Sequence, residues 1–191
     1  MGLFGNRRRK RRKKCEEGSR IFTRRTLKEL SGWLIITAAA MVLAIALVFA
    51  FGLKEEMNGD SMYPTIANGQ YVMVDRLRFQ FSRPEEGDII VFRGGGNRMR
   101  TYIRRVVAVS GDTVQVIAGV LYVNDEPKDV PEYDKMENAG LAENLITLQT
   151  GEYFVLGDNR NNSEDSRSEN ISLVRLDTII GKAWRIGGKA S

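Results

Sequence analysis

A chain of 191 residues has room for one modest folded domain plus appendages, and its formal charge of +5 is unevenly spread. Residues 1–31 hold twelve Lys or Arg against three Glu, a net of +9, which leaves the other 160 residues at −4. Basic character confined to an arm argues against a folded nucleic-acid-binding domain, while a single cysteine (Cys15) and no histidine exclude a disulfide framework, a Cys/His metal centre and catalysis through imidazole.

Residues 7–14, Arg-Arg-Arg-Lys-Arg-Arg-Lys-Lys, form an uninterrupted cationic run. Such a block repels itself, yet each charge gains roughly 1 kcal/mol beside an anionic lipid surface. The run precedes GWLIITAAAMVLAIALVFAFG, residues 32–52, a stretch of 21 residues without a charge. About 20 apolar residues cross a hydrocarbon core, so this stretch reads as a transmembrane helix, with Trp33 placed where an amphipathic ring suits the interface. The Lys/Arg excess before it keeps the N-terminus in the cytoplasm. The expected organisation is a cytoplasmic arm over 1–31, a single span over 32–52 and an extracytoplasmic domain over 53–191. A cleavable signal peptide fits poorly, because the apolar stretch is too long and the basic region ahead of it too extended.

From Glu55 onward the pattern changes to short β-type runs between turn residues. Candidates are Tyr71–Asp75, Asp88–Phe92, Tyr102–Val109, Thr113–Ile117, Val120–Val123, Tyr153–Leu156 and Thr178–Ile186. Ala118-Gly119 is the two-residue turn of a hairpin. Residues 126–151, with Pro127 and Pro131, read as an excursion from the sheet, with a helical turn around Lys135–Glu143. The fold class is mainly β: an N-terminal helix followed by an antiparallel sheet or partial barrel.

Ser61, in Gly59-Asp60-Ser61-Met62-Tyr63-Pro64-Thr65, is the candidate nucleophile. Without histidine, the usual proton acceptor for a serine near neutral pH is a desolvated lysine. Beyond the apolar stretch the lysines are Lys54, Lys128, Lys135, Lys182 and Lys189. Lys54 reads as a snorkelling anchor at the end of the span, and Lys182 is the one placed to approach the core.

Four segments in order, GDSMYPT (59–65), GDIIVF (87–92), YIRRVVAVSGDTV (102–114) and GDNRNNSEDSR (157–167), behind a membrane anchor, resemble the type I signal peptidases, most closely the small bacterial kind. The resemblance runs from the anchor to about Trp184. It implies a membrane-bound serine endopeptidase, free of cofactors, that removes signal peptides from exported preproteins by a Ser/Lys dyad on an antiparallel β scaffold. Carried across, Ser61 is the nucleophile and its N–H one oxyanion donor; a second donor found in some relatives falls on Gly59, and a missing donor costs roughly 2.7–4 kcal/mol of transition-state stabilisation. Ser163 matches the serine that holds the lysine amine, Asp165 and Arg167 a structural ion pair, and Asp158 a partner for Arg105. Met62, Ile66 and Ile103 match an apolar pocket for small residues, or equally well an ordinary core. Residues near Met57 and Phe79–Phe81 are read as an apolar skirt at the outer lipid surface.

The general-base position is Arg104, where the family has lysine. A guanidinium keeps its proton and has no lone pair to offer while charged. Ala108 and Ser110 also depart from the family's glycine and proline in this segment. Three readings follow: a working signal peptidase; an inactive homologue that binds preproteins or regulates an active paralogue; and another Ser/Lys protease, such as a self-cleaving repressor. The anchor and the GDNRNNSEDSR loop oppose the third.

Overall fold

A computed structural model describes residues 26–48, 53–94, 96, 100–128 and 135–189. The cationic run 7–14, Cys15 and residues 49–52 lie outside them. Two compact units result, Met1–Leu47 and Val48–Ser191.

The first unit contributes one helix, α1, Thr26–Val48, which starts ahead of the uncharged stretch. Its 23 residues span about 35 Å at 1.5 Å per residue, enough for a hydrocarbon core of about 30 Å. Leu34, Ile35, Met41, Val42 and Val48 are all exposed. Thr37 Oγ1 bonds back to the carbonyls of Trp33 and Leu34, which hides its hydroxyl within the helix.

The second unit is antiparallel β throughout. Its strands are β1 Leu53–Glu56, β2 Gln70–Asp75, β3 Ile89–Gly94, β4 Arg100–Ala108, β5 Thr113–Ile117, β6 Val120–Val123, β7 Glu126–Pro127, β8 Ile146–Thr147, β9 Glu152–Leu156, β10 Val174–Arg175 and β11 Ile179–Lys189; a short helix, α2, covers Arg78–Phe81. Seven strands form one sheet in the order β1-β2-β11-β3-β4-β9-β10, and four form a second in the order β7-β6-β5-β8. β11 therefore separates β2 from β3.

Alternation along the strands buries both faces of the larger sheet. Val91, Val72, Val74 and Ile103 join Met57, Met62 and Ile66 on one side, while Ile90, Phe92, Val106, Tyr153 and Val155 pack on the other. A third cluster, including Val107, Val114, Leu121, Leu148 and Phe154, fills the space beneath the smaller sheet. Ala118 and Gly119 both have positive φ, 50° and 81°, the pairing a tight β5–β6 turn needs.

Two expectations need correction, and one strand was not expected. Residues 126–151 are not wholly an excursion: β7 and β8 add two-residue pairings to the smaller sheet, too short to leave a period in the sequence. β1 also escapes a pattern search, because Lys54, Glu55 and Glu56 give it no apolar alternation; it forms because all four of its residues pair with β2. Met57 is core rather than skirt, since its N–H donates to Gln70 O and its carbonyl accepts from Gly69 N, turning the side chain inward. Of the other skirt residues, Phe79 is partly buried while Phe81 is 86% exposed.

Candidate active site

Ser61 lies in the turn after β1, closed by the Ile66 N–H to Met62 carbonyl bond at 2.9 Å. Met62 and Ile66 are buried beneath it, so the turn is nailed to the core by its apolar residues. Its carbonyl accepts from Asn159 N at 3.1 Å, and the Asp60 carbonyl accepts from Asn159 Nδ2 at 3.1 Å. Ser61 is 8% exposed, and its own N–H makes no hydrogen bond among the described residues, leaving that donor available to an oxyanion.

The loop after β9 supplies the opposite wall. Gly157 approaches so closely that a Cβ there would stand 2.2 Å from Ser163 Oγ and 2.4 Å from the Ser61 carbonyl oxygen. Asp165 accepts from Gly157 N at 3.2 Å and forms a two-pronged pair with Arg167, Nε–Oδ1 2.8 Å and Nη2–Oδ2 2.9 Å. Arg167 also donates to the carbonyls of Arg160 and Asn138, so one buried side chain ties this loop to itself and to the segment before the Gly140–Glu143 turn. Ser163 Oγ is buried and has no hydrogen-bond partner among the described residues.

Asp158 accepts from Arg105 Nε at 2.8 Å and Nη2 at 2.6 Å, and from Thr65 Oγ1 at 2.5 Å. One carboxylate thus joins β4, the loop and the Ser61 turn. The side chains of Arg105 and Asp158 are 23% and 1% exposed. Replacing Asp158 with Ala removes the carboxylate shared by a guanidinium and a hydroxyl, although Arg105 Nη1 keeps its bond to the Gly87 carbonyl at 3.0 Å. A fully buried broken pair costs about 3–5 kcal/mol; with Arg105 partly solvated, roughly 2–4 kcal/mol is expected. Thermal melting of the detergent-solubilised chain should show a drop of several degrees; a midpoint within a degree of the parent would remove Asp158 from the framework.

Arg104 is 4% exposed. Its Nε and Nη2 donate to the Glu164 carbonyl at 2.9 and 2.6 Å, and its Nη1 donates to the Ile103 carbonyl at 2.6 Å. None of its side-chain hydrogen bonds reaches Ser61 among the described residues. Its Cζ sits 5.5 Å from the centre of the Tyr102 ring, whose hydroxyl donates to Glu164 Oε2 at 3.2 Å. Burial lowers the Arg104 pKa from its ordinary value, against the opposing charges of Asp165, Tyr102 and Glu164. The same burial, with the Glu164 carboxylate beside it, raises the Tyr102 phenol. Even lowered, a guanidinium so solidly hydrogen-bonded as a donor is a fixed cation and not a proton acceptor.

Ser61, Arg104 and Ile103 line one open groove of about 590 Å³ with Glu55, Glu56, Asp60, Thr101, Tyr102 and Glu164 among its other walls. No lysine lines it. Lys54 Nζ lies 4.8 Å over the Tyr71 ring, Lys182 Nζ pairs with Asp88 at 2.5 Å, and Lys128 pairs with Glu86. Met62 and Ile66 lie below the groove as core, whereas Ile103 belongs both to that core and to the groove wall.

The groove has one further property, set by strand parity. Val106 donates to Asp88 O and accepts from Gly87 N, so its backbone polar groups face the β3 side. Arg104 and Tyr102, in step with it, do the same, and Ile103 and Arg105 face the other way. There Arg105 pairs with Leu156, but β9 ends at Leu156. Among the described residues no strand pairs with the edge of β4 beyond it, at Ile103 and Thr101, and both residues line the groove.

Sequence reasoning missed Gly157, Asn159 as a clasp on Ser61, Thr65 and Glu164. Only Gly157 carried a signal, as the glycine of a Gly-Asp pair directly after a strand. The others act through backbone groups or through partners ninety or more residues distant.

Known proteins resemble the chain over most of its length. A family model described as signal peptidase, peptidase S26, matches residues 30–186. Signal peptidase IB of Staphylococcus aureus is 32% identical over 173 residues, covering 81% of this chain and 87% of that protein. The probable signal peptidase I-1 of Synechocystis is 35% identical over 151 residues, 75% of each chain. A crystal structure of a signal peptidase I from Enterococcus faecalis aligns at 25% identity with a TM-score of 0.40, covering 53% of this chain and 97% of that one. A serine in an open groove, an apolar N-terminal helix and relatives matching most of the chain lead to one conclusion: the chain belongs to the signal peptidase family, peptidase S26, the serine endopeptidases that process signal peptides.

Proposed function

We propose that this chain cleaves signal peptides from exported preproteins by attack of Ser61 Oγ, with the preprotein lying extended along the open edge of β4. The observation that carries the reading is the placement of a nearly buried serine beside an unpaired strand edge in one groove. Main-chain hydrogen bonds from a sheet edge hold an extended segment whatever its sequence, which suits an enzyme with many substrates. The Ser61 N–H supports the role of oxyanion donor. Ser163, Asp158, Asp165, Arg105 and Arg167 shape the loop and strand that face Ser61. Ile103 contacts the segment's side chains, with Met62 and Ile66 behind it; a small apolar surface of this kind accepts Ala or Gly and excludes bulk.

The membrane reading is part of the same proposal. Residues 1–31 are cytoplasmic, the span runs over 32–52, and residues 53–191 are extracytoplasmic, oriented by the basic arm. The run 7–14 contacts anionic lipid headgroups on the cytoplasmic side.

Arg104 contributes a fixed positive charge and no base. Ser61 then depends on solvent hydroxide for its ionisation, so the rate should climb with pH without levelling in the neutral range. Cleavage of a preprotein bearing an Ala-x-Ala site, by wild type and Ser61→Ala in detergent from pH 6 to 10, tests this. The expected result is slow wild-type cleavage that rises toward tenfold per pH unit, with Ser61→Ala flat at background. Wild type indistinguishable from Ser61→Ala at every pH would end the reading of this chain as an active peptidase.

A further inference from the structure

We propose that Arg104 is a latch on the substrate edge: its guanidinium occupies the backbone carbonyl of Ile103 that an incoming preprotein segment needs, and the contact is given up when the segment binds. This rests on the reading of the groove above.

The Ile103 carbonyl belongs to the open edge of β4 by strand parity, beyond the end of β9. A strand added there at the usual spacing of about 4.8 Å would bring its own N–H to that oxygen. Arg104 Nη1 already stands there, 2.6 Å from it. The rest of the guanidinium is held from the far side, where Nε and Nη2 share the Glu164 carbonyl at 2.9 and 2.6 Å. The Tyr102 ring lies 5.5 Å from Cζ, and its hydroxyl holds the Glu164 carboxylate. The planar fork therefore bridges a strand carbonyl and a loop carbonyl at once. A lysine, with its donors on one nitrogen, has no fork to span both. The latch belongs to the arginine of this chain.

Arg104 is on this account a positioning residue with two settings. In the free protein it fills the edge and fastens the Ser163-bearing loop to β4. With substrate, Nη1 yields the Ile103 carbonyl while Nε and Nη2 keep the Glu164 carbonyl. Substrate affinity is lowered by the contact that must be released.

The test measures binding without cleavage. A fluorescently labelled peptide spanning an Ala-x-Ala site is titrated into the full detergent-solubilised chain carrying Ser61→Ala, alone or combined with Arg104→Met or Arg104→Lys. The latch predicts a Kd about tenfold lower in the Met variant, the effect of releasing one charge-assisted hydrogen bond, and a lower Kd in the Lys variant as well. A residue that only braces the fold would move the melting temperature and leave Kd unchanged or higher. If Arg104→Met fails to fold, the Lys variant, which keeps the charge and most of the volume, decides. Equal Kd in the folded chains overturns the latch and leaves the groove reading standing; no binding by any of them overturns both.

Discussion

Arg104→Lys is expected to raise kcat/KM for an Ala-x-Ala preprotein by about 10²–10⁴-fold at pH 8, the range that a positioned general base contributes. The serine, its N–H donor and the facing loop stand ready, and the missing part is an acceptor for the Ser61 proton. Ser163 Oγ is buried without a partner among the described residues, while the donors of Arg104 go to Glu164 and Ile103. A lysine amine at this position would give that hydroxyl a neighbour. Burial disfavours the charged form of a lysine, just as it lowers Arg104, so the new side chain would titrate below its ordinary value of about 10.4. The sign is fixed by the chemistry: only the neutral amine accepts a proton. The variant's rate should rise through that lowered pKa and then level, where the wild type keeps rising. Adding Ser61→Ala to Arg104→Lys must abolish the gain. A variant no faster than wild type, with an unchanged pH profile, would mean that position 104 is not where the proton goes.

Gly157→Ala is expected to cost at least about 10² in kcat/KM, the penalty for displacing reacting groups by roughly 1 Å. The reason is geometric. The added methyl would sit 2.2 Å from Ser163 Oγ, 2.6 Å from Ser163 Cβ and 2.4 Å from the Ser61 carbonyl oxygen. Two of these atoms are backbone or Cβ, so rotating a flexible side chain cannot relieve them. Ser61 must shift, or the loop must lift away, and the Asn159 bond to the Ser61 carbonyl at 3.1 Å opposes either movement. Overpacking of this kind also lowers stability by about 1–3 kcal/mol. Steady-state kinetics with a thermal melt separates the effects, since activity should fall far more than the melting midpoint implies. Kinetics like the parent's would show that Ser61 and this loop move independently.

Much of the fold was legible because its strands carry their own signals. β5 and β6 coincide with the runs Thr113–Ile117 and Val120–Val123, and their turn was marked by Ala118-Gly119. β1 was not legible, since three of its four residues are charged and its pairing is decided by β2. Within the site, Ser61 stood out through an uncommon local pattern and Arg104 through its departure from one. Where that guanidinium goes could not be read, because its acceptors are main-chain carbonyls that every residue possesses. Glu164 enters through its carbonyl as much as its carboxylate, and a sequence records only the second. The open edge of β4 is equally hidden: it arises from where β9 stops, not from anything within β4.

The position of β11 has a consequence for how the protein comes into being. Ser61 sits on the connection between β1 and β2 and shares its side of the groove with Glu55 and Glu56 of β1, whereas the facing side belongs to β4 and the loop after β9. In the sheet these two groups are stitched together by β11, which lies between β2 and β3 and follows every other strand in the chain. During synthesis, the strand pair bearing Ser61 and the strands bearing the facing side of the groove have no common ladder until residues 179–189 have emerged. Proteolytic competence is therefore a late event in the life of each molecule, and a nascent chain released early carries Ser61 without a finished site around it.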